Sequence, residues 1–179
     1  MDIRIRDAEG VADQPFLLWD TYWNESDLGQ YVCDWKLAGP TAPNNNYGLA
    51  ADHALNTAIL ICLFTWRRAE PSDVLPAGTD PKGWWGDSVD LQENEQPIGS
   101  RLWLLLRSTL DANTANLAQD YANEALQTLI DQGAVARFDV VATPDILNSY
   151  LVLDVKGYSQ DGQLIYDQKF TRLWRQEFG

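Results

Sequence analysis

The sequence predicts an α+β fold in which helices pack on a small antiparallel C-terminal sheet, with an N-terminal β-hairpin. Three observations predict it. Two segments, near residues 52 and 114, repeat apolar residues at helical spacing. Three strand-like segments follow residue 134, and alternating segments precede residue 38. A length of 179 residues suits a single domain, 1–179, with a β extension over 1–48 and a core over 49–179.

The N-terminal extension is predicted from short alternating patterns. Residues 2–6 alternate polar and apolar side chains, as do parts of 16–23 and 31–37. The turn-forming residues 24–29 separate the last two segments, so we expect a hairpin with a leading strand. Residues 40–48 are rich in proline, asparagine and glycine and predict a loop.

The first long helix is predicted to begin after Asp52, which can cap it. Its apolar residues at helical spacing are Ala54, Leu55, Ala58, Ile59 and Cys62. Residues 59–64 are apolar on nearly every side, so we expect this half to be buried on several sides. The run 58–64 alone could form a buried strand. Its length, and an Arg67–Arg68 pair at the expected C-terminal turn, favour a helix.

A long loop with two adjacent tryptophans follows, over residues 70–96. Trp84 and Trp85 lie between two glycines, and their large apolar area requires a core, a partner or a ligand. Because adjacent side chains cannot share one face, one can enter the core while the other meets a partner. The apolar run 102–106 that follows predicts a short buried helix with an arginine at each end. Loops of this length in compact domains are usually functional.

The second long helix and the sheet complete the expected fold. Thr114 is predicted to cap the helix, and Gly133 to end it in the left-handed conformation. Its predicted apolar stripe is Leu117, Tyr121, Ala125, Leu126, Leu129 and Ile130. Strands are expected at 135–142, 149–158 and 163–174, with turns at 143–145 and 160–162. In the middle strand Leu151, Leu153 and Val155 should face the helices, and Val152, Asp154 and Lys156 should face outward.

Charge and cysteine content exclude several classes of partner. The net charge of −13 and the pI of 4.2 make nucleic acid and anionic membranes poor partners. Cys33 and Cys62 lack a metal-ligand spacing, and a buried free thiol in a reducing compartment is expected at Cys62. No apolar signal core and no membrane-spanning run occur, so we expect a soluble protein made in a cytoplasm.

The sequence gives weak support to an enzymatic function and to a ligand-binding function. Asp80, Asp87 and Asp90 lie near the paired tryptophans, as in a lysozyme-like glycoside hydrolase. No phosphate-binding glycine loop or nucleophile elbow is present, and His53 has no second histidine to form a metal site. The eight tryptophans also suit a carbohydrate- or peptide-binding module, although core packing explains Trp103 and Trp174. Alternatively, tryptophans, arginines and a free sheet edge suit a protein interface.

The order of several motifs resembles the small baseplate protein of Mu-like contractile-tailed phages. These motifs are the apolar helix 55–65, the pair Arg67–Arg68, the segments 83–87 and 98–103, and the helix end 125–133. The resemblance covers roughly residues 50–174, and its wider group is that of baseplate wedge proteins that initiate sheath polymerisation. Two positions depart from the pattern. Trp66 stands where an acid is expected, and Asp131-Gln132-Gly133 replaces a glutamate-proline-arginine signature.

The resemblance implies a structural, non-enzymatic role without a cofactor or metal. It implies a wedge protein in the virion tail baseplate, assembled in the host cytoplasm. Several copies would surround the tail axis and bind other wedge proteins and tail sheath subunits by strand exchange, helping to initiate the sheath. No nucleic acid or membrane partner is implied. The residues implied as interface or structural positions are Arg67, Arg68, Trp84, Trp85, Gly99, Ser100 and Arg101.

Overall fold

The computed structural model describes residues 54–91 and 96–175, together with residues 6–7, 15–16, 22–25, 31–34, 37, 39–41 and 47. The chain divides into two compact units. One consists of Leu60–Gly179 with Met1–Asp2, and the other of Ile3–Ile59. The single domain with an internal boundary after residue 48 therefore stays a prediction.

The described residues of the N-terminal part of the chain include four short strands. Strand β1 (Arg6–Asp7) pairs antiparallel with β2 (Pro15–Phe16), and β3 (Tyr22–Glu25) with β4 (Tyr31–Asp34). The residues that would close the predicted hairpin, 26–30, lie outside the described residues, as do 2–5. The hairpin and its leading strand therefore stay predictions.

Helix α1 spans Ala54–Phe64, so the run 58–64 forms a helix rather than a strand. The expected positions of the arginine pair and of Phe64 were wrong. The helix ends before Arg67 because the Arg67 amide bonds to the carbonyl of Ser100, 3.0 Å away, which draws the chain out of the helix. Phe64 is 43% exposed and meets the ring of Phe170 edge-on. The expected cap Asp52 and the neighbouring His53 lie outside the described residues.

An irregular segment connects α1 to the next long helix. It contains one helical turn, α2 (Asp87–Asp90), and the 3₁₀ helix Leu102–Leu105. The predicted short buried helix is confirmed, because all four residues of the 3₁₀ helix are buried. Trp103 is among them, as expected for a core residue, whereas Leu106 at the end of the run is exposed.

Helix α3 spans Ala112–Asp131 and begins one turn earlier than the sequence suggested. The cap is Asp111 and not Thr114, because the Asp111 carboxylate accepts a hydrogen bond from the Thr114 amide at 2.8 Å. The Thr114 hydroxyl instead donates to the carbonyl of Thr109. The predicted stop at Gly133 is confirmed, since its φ is 74° and Ala134 donates to the carbonyl of Leu129.

The buried face of α3 is built largely from alanine. Its buried residues are Thr114, Ala115, Ala118, Ala122, Ala125, Leu126 and Leu129. The predicted apolar stripe is therefore only partly the buried face, since Leu117, Tyr121 and Ile130 are half-buried. Alanines let the helix approach its neighbours closely, while larger residues border the contact. Within the described segments, no helix is both long and apolar enough to cross a membrane.

The C-terminal sheet is an antiparallel meander of β5 (Arg137–Asp145), β6 (Tyr150–Tyr158) and β7 (Leu164–Arg175), in that order. The three-stranded meander is confirmed. Leu151, Leu153 and Val155 are fully buried, whereas the alternate residues of β6 are half-buried on the opposite face.

One predicted turn of the sheet was wrong. Residues 143–145 continue strand β5, with Pro144 opposite Leu151, and the turn follows at 146–149. Proline is tolerated because β5 lies at the edge of the sheet, where one side of the strand needs no amide donor. The second predicted turn is confirmed, with Gly162 at a φ of 75°.

Candidate protein interface

Ser100 connects the end of α1 to the 3₁₀ helix. Its hydroxyl donates to the carbonyl of Leu63, one of the helix-end carbonyls that have no partner within the helix. Its amide donates to the carbonyl of Thr65 at 2.9 Å, and the pair Trp66 and Ser100 forms a parallel bridge. Ser100 is almost fully buried. Both its hydroxyl and its amide therefore bind carbonyl groups at the end of α1 and just beyond it.

Gly99 allows this close approach of the two segments. Its φ is 94°, a conformation that side chains disfavour. A Cβ atom at this position would lie 2.2 Å from the carbonyl oxygen of Thr65. Both the backbone conformation and the available space therefore require glycine.

Arg101 lies at the centre of a cluster of acids contributed by the long loop and α3. Its Nη2 atom is 2.8 Å from Oε2 of Glu124, and its Nη1 atom is 3.3 Å from both carboxylate oxygens of Asp73. Glu70 lies slightly farther away, at 3.6 Å. The guanidinium also covers the ring of Tyr121, with 4.7 Å to its centroid. We call Arg67, Glu70, Asp73, Arg101 and Glu124 the arginine cluster.

Electrostatic interactions within the arginine cluster stabilise the charged form of Arg101. Burial alone would lower the pKa of Arg101, but hydrogen bonds and charge contacts with Glu124 and Asp73 outweigh burial and raise it. Burial raises the pKa of Tyr121. The cluster therefore ties loop residues 70–73 to α3 through a permanently charged side chain.

Arg67 and Arg68 have different environments although they are adjacent. Nη1 of Arg67 lies 3.1 Å from Oε1 of Glu124, so one carboxylate holds two arginines. The carbonyl of Arg67 also accepts a hydrogen bond from the indole of Trp103 at 2.8 Å. Arg68 is exposed, and it forms no ion pair with any residue that the structure describes. Its backbone packs closely on Gly83, whose φ is 109°.

The two tryptophans differ in exposure, and neither belongs to the buried core. Trp84 is half-buried and lies against Gly86, where a Cβ atom would be 1.9 Å from its ring. Trp85 is 73% exposed, with its ring centroid 5.4 Å from that of Trp84. The Asp87 carboxylate accepts from the Ile98 amide at 3.3 Å, which ties this turn to the segment before Gly99.

Trp66 and Lys82 add to this surface, and no sequence pattern pointed to Lys82. Its Nζ atom lies 4.3 Å from the centroid of the Trp66 ring, and Trp66 is half-exposed. Lys82 has a positive φ of 56°, and its amide bonds to the carboxylate of Asp80. A cleft of about 590 Å³ adjoins this region, with Arg68 and Leu75 among its lining residues. Together Trp66, Arg68, Lys82 and Trp85 form what we call the tryptophan surface.

The acids that were weighed for a glycoside hydrolase make contacts within the loop and with the segment before Gly99. The carboxylates of Asp80 and Asp87 both bind backbone amides, and the side chain of Asp90 lies outside the described residues. Burial raises the pKa of Cys62 to about 12, so this thiol is protonated at neutral pH. Within residues 54–91 and 96–170, no group of three or more potential metal ligands is found.

Comparison with known proteins shows that the chain is similar to phage and prophage proteins. The family model described as Phage protein GP46 matches residues 55–164. The chain is 42% identical over 118 residues to "Baseplate protein gp46" of Escherichia phage Mu, covering 65% of this chain and 78% of that protein. It is 35% identical over 114 residues to "Mu-like prophage FluMu protein gp46" of Haemophilus influenzae, covering 64% and 75%. The matched region includes every residue of the arginine cluster and the tryptophan surface.

Proposed function

This chain belongs to the GP46 family of phage proteins, and from that membership we propose that it is a structural component of a contractile tail baseplate, in a phage or a tail-like particle. Its relative in phage Mu is named as a baseplate protein. The proposed location is the baseplate of the virion tail, after assembly in the host cytoplasm. The proposed role is non-enzymatic and needs no cofactor.

The observation that carries this proposal is the exposure of Trp85 on a loop that the fold holds in place. Tryptophan and arginine are over-represented at the centres of protein interfaces. Trp85 is exposed while Asp87 and the arginine cluster fix both sides of its loop. A tethered loop loses little conformational entropy on binding, which favours affinity. Trp85 and Arg68 are therefore proposed as interface residues.

The other motif residues are proposed to support that surface from within. Gly99 and Ser100 hold the end of α1, and Arg67 and Arg101 hold Glu124. Trp84 is half-buried and its ring lies against Gly86, next to Trp85. On this proposal, substitutions in the supporting group act through folding, whereas substitutions at the surface act through assembly.

The more specific role that we propose is that of a wedge protein. It binds other baseplate wedge proteins, is present in several copies around the tail axis, and helps to initiate the tail sheath. Support comes from the sheet, because β5 and β7 each pair on one side only among the described residues. A free edge can accept a strand from a sheath subunit. The net charge of −13 disfavours nucleic acid and anionic membranes as partners.

One observation favours a second candidate function, carbohydrate binding. The exposed face of Trp85 is also suited to stacking on a sugar ring. Titration of the purified chain with peptidoglycan fragments, followed by tryptophan fluorescence, separates the two functions. A saturable signal that Trp85→Ala abolishes would favour the carbohydrate-binding role.

Deletion of the gene tests the baseplate proposal. Electron microscopy of the resulting particles should show no normal sheathed tails, and a plasmid copy should restore them. Mass spectrometry of purified wild-type tails should detect the chain in several copies. Normal sheathed tails without the chain would remove the proposal.

A further inference from the structure

Two cations of the tryptophan surface, Arg68 and Lys82, lie on segments that backbone contacts hold together. The amide of Ala69 donates to the carbonyl of Pro81 at 2.9 Å. Beside this hydrogen bond, Arg68 packs so closely on Gly83 that a Cβ atom added to the glycine would lie 2.9 Å from Cβ of Arg68. The positions of the two cation-bearing segments are therefore fixed by the fold.

The first of these segments alternates between exposed and buried side chains. Trp66 and Arg68 are exposed, whereas Arg67 between them is half-buried and Ala69 is buried. Alternation of this kind is typical of extended backbone, in which every second side chain points to the same side. Nζ of Lys82 lies 4.3 Å from the centroid of the Trp66 ring. An aromatic ring and two cations therefore share one accessible area.

Neither Arg68 nor Lys82 forms an ion pair within the part of the chain that the structure describes. The acids that lie two residues away along the chain bind other groups. Glu70 lies 3.6 Å from Arg101, and Asp80 accepts a hydrogen bond from the backbone amide of Lys82. The aromatic ring attracts the ammonium of Lys82 but does not neutralise it, and an ammonium has three donors. The area therefore offers two positive charges to an anionic partner.

From this arrangement we infer that the tryptophan surface binds an acidic segment of a neighbouring baseplate protein. Aspartate or glutamate side chains of that segment bind Arg68 and Lys82, and an apolar side chain beside them covers the ring of Trp66. Arginine can bind a carboxylate through two parallel N–H bonds, which adds geometric specificity to the charge. The inference rests on the proposed function and adds the chemistry of the partner to it.

The charges of this region favour a short acidic segment over a nucleic acid or a second copy. A phosphate backbone carries a charge at every nucleotide, and it would also meet Glu70, Asp80 and Asp87 in the same loop. A twofold dimer would use the same surface on both copies and would bring four cations together. The net charge of the whole chain matters less, because salt screens charges beyond about 8 Å at physiological ionic strength.

Substitutions at Arg68 test the inference in the deletion strain, complemented with plasmid copies and scored by counting sheathed tails. The yield should fall in the order Arg68→Lys, Arg68→Gln, Arg68→Glu. Glutamate should reduce it about tenfold or more, because it sets like charges against each other. The melting temperatures should match the wild type, since Arg68 is exposed. Lys82→Glu takes the place of Arg68→Glu if that chain does not fold.

Arg107→Glu is the matched control, because it makes the same change at another exposed arginine and should leave the yield unchanged. A carbodiimide cross-link then identifies the occupant, since this reagent joins an amine to a carboxylate in contact with it. In purified tails, mass spectrometry should find Lys82 linked to an aspartate or glutamate of another baseplate protein. Tails assembled from a mixture of unlabelled and nitrogen-15-labelled chain reveal any link between two copies.

The inference is overturned if Arg68→Glu gives the same yield as Arg68→Lys. It is also overturned if Lys82 forms no link to another baseplate protein or is linked only to a second copy. A reduced yield in Trp85→Ala with a wild-type yield in Arg68→Glu would retain the proposed function and remove only the acidic segment. Wild-type yields in both variants would remove the proposed interface itself.

Discussion

Arg101 binds Glu124 of α3, with 2.8 Å between Nη2 and Oε2, and through this contact it helps to hold the long loop against the helix. The same guanidinium also reaches Asp73 in the loop. Both arginine and aspartate side chains are largely buried, at 16% and 11% exposure. Among the described residues, no backbone hydrogen bond joins loop residues 70–73 to α3, so these side-chain contacts connect the two.

Arg101→Ala should lower the free energy of unfolding by about 2 to 3 kcal/mol, because Asp73 and Glu124 would lose a largely buried counter-charge. Urea unfolding followed by circular dichroism measures this change. Arg68→Ala is the matched control, and it should change stability by less than about 0.5 kcal/mol because Arg68 is exposed. Equal stability losses in the two variants would contradict the structural role of Arg101.

Gly99→Ala should destabilise the fold by about 3 kcal/mol or more, because strain at a positive φ is added to a clash with the Thr65 carbonyl. Gly162→Ala has the positive φ without the clash, since nothing lies near its Cβ position. Gly162→Ala should lower the free energy of unfolding by only about 1 to 2 kcal/mol. Thermal unfolding of both variants checks the difference, and a smaller loss for Gly99→Ala would refute the close packing at that position.

The cap of α3 should make stability depend on pH in the acidic range. The backbone hydrogen bond from Thr114 is the main cause that lowers the pKa of Asp111. Because the folded pKa is the lower one, the cap contributes fully above the unfolded value of about 3.9 and is lost as pH falls through the folded value. Melting temperatures from pH 7 to pH 2 should show this loss.

Asp111→Asn provides the control for that measurement. Asparagine also caps helices but does not titrate, so this variant should keep the cap and show a smaller acid dependence. Asp111→Ala should melt at a lower temperature at neutral pH. An unchanged melting temperature in Asp111→Ala would show that the cap has no part in stability.

Cys62 should be unreactive in the folded chain. Burial raises its pKa to about 12, so almost no thiolate is present at pH 8. In a Cys33→Ser background, a thiol reagent such as Ellman's reagent should detect no free thiol until denaturant is added, and then one per chain. Rapid reaction under native conditions would mean that the helix α1 core opens readily.

The sequence predicted the elements whose signals are local. The C-terminal meander, the stop at Gly133 and the short buried helix all follow from patterns within a few residues. The family resemblance inferred from motif order is confirmed as well. The cap of α3 was assigned to Thr114 because threonine and aspartate are both good caps, and only the backbone geometry distinguishes them.

The site was harder to predict because its contacts join distant parts of the chain. Glu124 and Asp73 lie 23 and 28 residues from Arg101, and nothing in a single sequence indicates that they meet. An acid was expected at the position of Trp66, beside the paired arginines, but the acid that pairs with Arg67 is Glu124 of α3. Lys82 gave no signal, since its position over Trp66 depends on a positive φ that lysine rarely adopts.

The account depends most on the claim that the folded chain acts through its tryptophan surface. The measurement is the yield of sheathed tails, counted by electron microscopy, when a deletion strain is complemented with Trp85→Ala. Circular dichroism and melting temperature should match the wild type, because Trp85 is exposed. The account predicts a yield reduced about tenfold or more, with partial recovery in Trp85→Phe, because truncating a tryptophan at an interface hot spot costs about 2 kcal/mol or more. Wild-type yield from a folded Trp85→Ala chain would contradict it.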